Sequence, residues 1–452
     1  MLPLLTHADR HAPIAFRGGR CIDVNTFLAD VARLVALLPA GAHMMNVCAD
    51  RYHFLVGLAA SMSAGKICLL PSNHTPESVR QMRAFAADVF CLTDTDSALD
   101  LPLLRYPDRA ADEAALADVL ELPMPHFPAE QTIAYVFTSG STGAPVPHAK
   151  TWGALVRSIH TGAERLHLDD GRAYTVVGTV PPQHMFGFES TVLLPLQTGG
   201  ALWAGKPFYP ADISAALAAV PQPRVLVSTP FHLRTWIDAE LDCPPLHCVL
   251  SATAPLAESL AAAVEERCAA PLLEIYGCTE TGQIATRHPT ECSEWRLLDS
   301  VRLSQEDVKS WVEGDFIHGR IELGDIIELI DTDRFALRGR SADLINIAGK
   351  RTSLAFLNQQ LLAIPGVDDG VFLQPNSNDA DGIGRLGALA VSRELSATDI
   401  VRALRERIDP LFLPRPLYVV ERLPRNAAGK LPQRELLALW QQTHEQSQGR
   451  RH

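Results

Sequence analysis

No Cys-x-x-Cys pair occurs in this 452-residue chain, although it holds nine cysteines. They lie at Cys21, Cys48, Cys68, Cys91, Cys243, Cys248, Cys268, Cys278 and Cys292, and the tightest pair, Cys243 and Cys248, fits no zinc spacing. An odd, scattered set reads as the reduced thiols of a cytoplasmic protein, each a small buried apolar residue. No uninterrupted apolar run of about 18 residues exists, which excludes a helical membrane span. The amino terminus, Met1-Leu-Pro-Leu-Leu, turns charged at Asp9 and Arg10 and lacks the form of a secretory leader. Basic side chains are outnumbered 40 to 52, for a net charge of −12, which argues against a broad nucleic-acid surface but allows a local basic patch. No internal repeat is seen. What the chain does hold is a composition 47% hydrophobic and 20% charged, that of a globular protein with large cores. Its length suits two to four compact units. Nothing in the composition fixes an oligomeric state.

Residues 22–90 alternate helical periodicity with short apolar runs, the pattern of β-α-β units around a parallel sheet. Phe27, Val31, Leu34 and Leu37 mark one helix face, 54–63 reads as a second helix and 66–70 as a strand. Pro123-Met-Pro-His-Phe-Pro128 is an extended connector. Ile133-Ala-Tyr-Val-Phe137 is a strand that runs straight into a polar glycine loop. Further strands are predicted at 173–178, 224–228, 246–250 and 272–276, with a helix at 256–268 presenting Leu256, Leu260, Val264 and Cys268 on one face. The texture changes near 340. A strand at 335–340 ends in a glycine turn, and a smaller unit follows: a hairpin at 344–352, a helix at 353–363, and strands at 369–373 and 386–392. Ser396-Ala-Thr-Asp399 has the form of a capping box, opening a helix that Pro410 stops. The domains are therefore placed at 1–338 and 344–440, with a hinge at 339–343 and a polar tail, 441–452, expected to fray.

Four segments carry the chemistry. Thr138-Ser-Gly-Ser-Thr-Gly143 follows a strand directly; its glycines let backbone N–H groups turn inward and its hydroxyls add donors, a cradle for anionic oxygens. It is not a Walker A loop, because no Gly-Lys-Ser/Thr follows, and alone such a turn is a plain surface loop in roughly half of cases. Tyr276-Gly-Cys-Thr-Glu-Thr-Gly282 also follows an apolar strand. It offers a ring for a purine, a hydroxyl at Thr279 for a phosphate, and the Glu280 carboxylate for Mg²⁺. A lone Tyr-Gly or Thr-Glu pair would be an ordinary strand end. Asp325 suits a pair of ribose hydroxyls, and Arg340 suits a phosphate. The Pro424–Arg434 segment presents Lys430 on a glycine turn, from which an ammonium can enter another domain's cleft. An isolated surface lysine is more often merely solvated.

Taken in order, these segments resemble the adenylate-forming superfamily of acyl- and aryl-CoA synthetases, peptide-synthetase adenylation domains and luciferases. The resemblance covers about residues 22–435. Thr138, Ser139, Gly140, Ser141, Thr142 and Gly143 resemble its phosphate loop. Pro182-Gln-His184-Met-Phe-Gly187 resembles its aromatic/His segment beside the acyl pocket, and Ser251-Ala-Thr253-Ala254-Pro-Leu256 its adenine-side turn. Tyr276, Gly277, Thr279, Glu280, Asp325, Arg340, the Gly349-Lys350-Arg351 hairpin and Lys430 follow in the family's order.

The resemblance implies an α/β fold: a large N-terminal domain of two α/β sheets plus a distorted β-barrel, with a small mobile C-terminal α/β domain. It implies ATP and Mg²⁺ as cofactors. A carboxylate attacks the α-phosphorus, pyrophosphate leaves, and the acyl-adenylate passes its acyl group to the thiol of CoA or an acyl carrier protein. Lys430 would stabilise the adenylation charge, 138–143 hold the outer phosphates, Glu280 hold the metal and Asp325 the ribose. His184 would wall or gate the acyl pocket. Rotation about the hinge would then remove Lys430 and bring 349–351 to a thiol channel. Two positions depart from the family pattern. Val146 stands where the loop lysine usually is, with Lys150 expected to supply its charge from a shifted place. Ala342 stands at the usual hinge acid, beside Asp343.

The run Phe137–Trp152 resembles ligases of aryl-polyene and xanthomonadin-type pigment pathways, which load an aromatic acid on a carrier protein. A hydroxybenzoate-type acid is the first expectation and a short or medium fatty acid the second. Arg402, Arg405, Arg407 and Arg425 are candidates for a basic rim facing an acidic carrier or CoA, set against the reading that they are solvated helix charges. Two rivals stand: a ligase that passes its adenylate to an amine or oxygen, and a nucleotide-binding scaffold without turnover.

Overall fold

The structure, a computed structural model, describes residues 1–107, 122–139, 145–306, 309–340, 344–347, 350–375, 386–426 and 429–449. Of the residues singled out above, Gly140–Gly143, 341–343 and Gly349 lie outside the described set, as do the side chains of Ser139, Arg340, Lys350 and Arg351.

Two sheets organise the larger part. The first has six strands, in spatial order Pro145–Thr151, Thr132–Ser139, Ile67–Leu70, His43–Asn46, Phe90–Thr93 and Leu103–Arg105; all are parallel except the outermost, Pro145–Thr151. The second has eleven. Its centre is a parallel run of Leu272–Cys278, Cys248–Ser251, Arg224–Ser228, Thr175–Gly178, Ala201–Trp203 and Pro13–Arg17. These strands are apolar at almost every position because both faces are covered: Val225, Leu226 and Val227 are all fully buried. The helix Arg51–Ser63 is buried nearly all round, as a helix packed within the core must be. Its N-cap Asp50 accepts from the N–H groups of Tyr52 and His53.

Arg51 opens that helix and is 1% exposed. Its guanidinium donates to four carbonyls, Trp203 and Gly205 on one loop and Gly178 and Val180 on another, at 2.8–3.0 Å. It staples the carboxyl ends of two parallel strands to the first sheet. Burial lowers its pKa to about 10.

Beyond Leu272–Cys278 the large sheet turns antiparallel through Gly282–Arg287, Trp295–Leu297, Arg334–Arg340 and Asp325–Leu329. A three-stranded sheet, Arg302–Glu306, Lys309–Glu313 and Ile321–Leu323, lies beside it. The two share a core around Trp295, Val312, Phe316 and Phe335. The C-terminal part holds the hairpin Leu344–Ile347 and Lys350–Ser353 and the sheet Asp369–Leu373, Gly387–Val391 and Leu417–Val420. Helices Leu354–Leu362 and Ala397–Arg405 close one core over that sheet.

Most elements fall within two residues of their predicted bounds; the helix read as 54–63 opens three residues earlier, at Arg51, and three further readings differ. Leu37 is 48% exposed, because its helix ends there, past the edge of the core that takes Phe27, Val31 and Leu34. The capping box of Ser396 and Asp399 is present, but the helix ends at Arg405, before Pro410; Ile408 N–H then closes a final turn onto Leu404 O. Residues 441–449, read as a frayed tail, continue the helix Gln433–Gly449. Trp440 and His444 stack at 6.1 Å, and the hydrogen bond of Tyr418 to His444, 2.7 Å, ties that helix to the sheet.

Candidate active site

Parallel strands place their following turns at one edge, and in open α/β sheets ligands bind outside those carboxyl ends. The turn after Ile67–Leu70 carries Ser72 and His74. That after Thr175–Gly178 leads to His184, that after Ala201–Trp203 to Lys206, that after Arg224–Ser228 to Thr229–His232, and those after Cys248–Ser251 and Leu272–Cys278 to Thr253 and Glu280. The two sheets meet there: His184 Nε2–H donates to Ser72 O at 3.0 Å.

Tyr276 O–H donates to the Asp325 carboxylate at 2.6 Å. The antiparallel register sets Asp325 opposite Arg340, so 15 residues of chain fold into a direct pair. The Tyr276 ring lies 5.5 Å from Trp295 and 5.6 Å from Phe335, and packing fixes its plane. Thr253, in the facing turn, has φ +80°. A β-branched residue in the left-handed region is strained, and the site tolerates it next to Ala254 at a strand end.

Glu280 is held from two directions. His148 Nε2 lies 3.6 Å from its Oε1 and 2.9 Å from Thr138 Oγ1, tying the strand into 138–143 to the carboxylate. Lys150 Nζ donates to the Glu280 carbonyl at 3.1 Å. Burial pushes the Glu280 carboxyl upward, but hydrogen bonds from its own backbone and Cys278, with the charges of His148 and Lys150, leave it below the usual range. Lys150 is 6% exposed, and burial lowers its pKa against the pull of Glu189, Cys278 and Glu280.

From the C-terminal part, the Gly429–Lys430 turn reaches this edge. Gly429 has φ +74°, and a Cβ there would lie 3.4 Å from Phe231 Cβ and 3.5 Å from Thr229 Oγ1. The turn is buttressed from behind: Arg425 forms two 2.7 Å bonds to Asp369 and donates to Gly429 O at 2.8 Å. Arg425 is thus engaged inside the domain rather than offered on its rim, and Arg402 is paired with Asp399. Burial lowers the His184 pKa, and the charges of Lys430, Lys206 and His74 lower it further. The imidazole is neutral near pH 7.

Several residues here carried no sequence signal strong enough to name them. His148 shares a strand face with Lys150, which spacing of two would have shown. Glu189, a lone acid in the apolar run Phe188–Leu193, is buried, and burial raises its pKa to about 7. His232 is 1% exposed; its Nδ1 faces Thr229 Oγ1 at 2.8 Å and its Nε2 is unpartnered, as is His74 Nε2. Burial and Lys206 lower the His232 pKa to about 4.

A two-sheet body with a small C-terminal unit folded over its carboxyl edge, taken with the family and relatives that follow, marks an AMP-forming acid–thiol ligase. The profile of the AMP-binding enzyme family matches residues 38–304, and the chain belongs to that family. It is 30% identical over 279 residues to a 4-coumarate–CoA ligase of Rhodobacter capsulatus, covering 60% of this chain and 69% of that one. It is 25% identical over 397 residues to a 2-succinylbenzoate–CoA ligase of Bacillus cereus, covering 78% and 79%. Its fold matches the o-succinylbenzoate CoA synthetase of Bacillus subtilis, solved with an acyl-adenylate intermediate, at a TM-score of 0.78 and 19% identity over 95% of this chain and 96% of that one. The architecture is that of these ligases, a large N-terminal and a small C-terminal domain. Among the described residues no helix is long and apolar enough to cross a membrane.

Proposed function

We propose that this chain activates an aryl carboxylic acid with ATP, releasing pyrophosphate, and passes the acyl group of the acyl-adenylate to a thiol. The observation that carries the reading is the seating of the Gly429–Lys430 turn on Thr229 and Phe231, with the Lys430 charge felt at His184. An ammonium there neutralises charge as carboxylate oxygen meets the α-phosphorus, the kind of stabilisation that dominates phosphoryl chemistry. Tyr276 and Asp325 orient the nucleoside, Thr253 and Ala254 flank the base, Thr138 with 139–143 receives the outer phosphates, and Arg340 takes a phosphate. Glu280, held in its ionised form, fits Mg²⁺, which takes one or two carboxylates alongside substrate phosphates and supplies charge neutralisation there. Thr279 adds a hydroxyl beside it. His184, neutral and bonded to Ser72, walls the acyl side.

Rotation about 339–343 withdraws Lys430 and brings the 349–351 turn, with Lys350 and Arg351, to the thiol. A hydroxybenzoate-type acid comes first, consistent with relatives named for aryl acids, and a short or medium fatty acid second. CoA is the acceptor named for those relatives; an acyl carrier protein, in a cytoplasmic pigment-forming setting, is the acceptor that the 137–152 run favours. The test is hydroxamate trapping across aryl and aliphatic acids, repeated with CoA and with a carrier protein. Trapping with aryl acids is the expected result. No acid-dependent pyrophosphate release with any acid would leave only a nucleotide-binding scaffold.

A further inference from the structure

Lys150 sits four residues past the position where Val146 replaces the usual loop lysine, and its ammonium is turned into the protein. A buried ammonium is costly unless it is bonded and charge-compensated. Here the bond comes from the turn that carries Glu280, and the charge compensation comes first from Glu189, then from Cys278 and Glu280. The hairpin between Leu272–Cys278 and Gly282–Arg287 pairs Cys278 with Gly282, leaving Thr279, Glu280 and Thr281 at its tip. Lys150 Nζ holds the Glu280 carbonyl at 3.1 Å. The other end is held by Glu189, which accepts from Gln283 N–H at 3.2 Å and from Ser158 Oγ–H at 3.2 Å. Gln283 in turn donates to Ser158 O at 2.9 Å. The approach is close enough to exclude a side chain: Gly282 has φ +78°, and a Cβ there would fall 2.6 Å from Glu189 Oε1. A cavity of about 10 Å³, room for roughly one water, is lined by Lys150, Glu189, Glu280, Met185 and Phe316.

We propose that Lys150 is a positioning residue that acts through the Glu280 backbone and does not touch the phosphates, with Glu189 as its counterpart at Gln283. The pair clamps both ends of the hairpin tip, so the Glu280 carboxylate is presented at a fixed place to the cation carried by the nucleotide. This rests on the proposed reading of Glu280 as the cation's carboxylate.

Isothermal titration of ATP into wild-type protein, Lys150→Met and the double variant Lys150→Met/Glu189→Met, each with Mg²⁺ and with EDTA, tests it. The double variant replaces a buried pair by apolar side chains, a change that buried ion pairs commonly tolerate, so it guards against a failure of the single variant to fold. The expected result is metal-free ATP affinity within about twofold of wild type and a loss of the Mg²⁺-dependent tightening by about tenfold or more, as when a ligand's supporting contact is removed. The Mg²⁺ concentration for half-maximal pyrophosphate release should rise in step. Equal losses with and without Mg²⁺ would mean that Lys150 contacts phosphate and would overturn the proposal; so would no loss in either variant. Failure of the function reading is seen separately, as wild-type protein that binds ATP but releases no acid-dependent pyrophosphate.

Discussion

Two polar clusters lie within this protein, and they are built on opposite plans. Around Lys150 and Glu189 the groups of the hairpin clamp bond to other parts of the chain: ammonium to carbonyl, carboxylate to N–H and hydroxyl, amide to carbonyl. Around His184 the charges that shift the imidazole, Lys430, Lys206 and His74, are all basic. Two neighbouring ring nitrogens, on His74 and His232, are buried without a partner. Buried polar groups that satisfy one another set geometry. A cluster of basic groups whose imidazoles burial keeps neutral suits an anionic ligand. On the proposed reading the first cluster is scaffold and the second is where the chemistry is expected to occur.

The largest effect should come from breaking the second cluster. Lys430→Ala is expected to lower acid-dependent pyrophosphate release by about 10²–10³-fold, the cost of losing one charge stabiliser. Thiolation of a supplied acyl-adenylate should stay within about twofold if, as proposed, rotation about 339–343 withdraws Lys430 for that step. Equal losses in both half-reactions would mean that the lysine serves them alike and that the hinge at 339–343 divides nothing.

Next in size is a pH effect confined to the first cluster. Burial raises the Glu189 carboxyl to about 7 from its ordinary 4.5, against the pull of Lys150, Ser158 and Gln283. Between those values the folded state binds more protons than the unfolded state, so Glu189 makes stability fall as pH rises. Below about 4.5 both states are protonated and the effect is absent. Above about 7 the full penalty is present, up to about 3 kcal/mol. In Glu189→Gln that fall should vanish, so the variant should gain on wild type in urea denaturation between pH 5 and 7 and hold the gain above it. A constant difference across that range would show the carboxyl to be ionised throughout.

Much of this was readable in the chain. The alternation of apolar runs and helical faces over 22–90 marked a parallel sheet, because strands buried on two faces are mostly apolar. The order of Thr138, Tyr276, Asp325 and Lys430 located the edge where they gather. What could not be read were contacts made by side chains far apart in sequence. Arg51 looks like any helix-start arginine, yet it holds carbonyls 127–154 residues away. Spacing puts Lys150 near the phosphates but cannot tell which way a strand residue faces; its burial comes with the register that pairs it with Ala134. Arg425 read as a surface charge because Asp369, its partner, lies 56 residues earlier.

The smallest effect sharpens the comparison most finely, because it perturbs charge and leaves packing in place. Lys206 lowers the pKa of His184, His232 and His74, but in each burial is the larger cause. Lys206→Met should therefore raise all three histidines, with His232 moving up from about 4 yet staying below its ordinary 6.5, since Phe208 and Phe231 still enclose it at 5.3 and 5.5 Å. Lys150→Met, in the other cluster, should leave these three unmoved and instead raise His148, which burial lowers most, Glu280 raises and Lys150 lowers. Ring-proton NMR titration resolves the four histidines. If both substitutions moved the same set, the two clusters would share one field, and the division between a self-bonded scaffold and a basic edge would not hold.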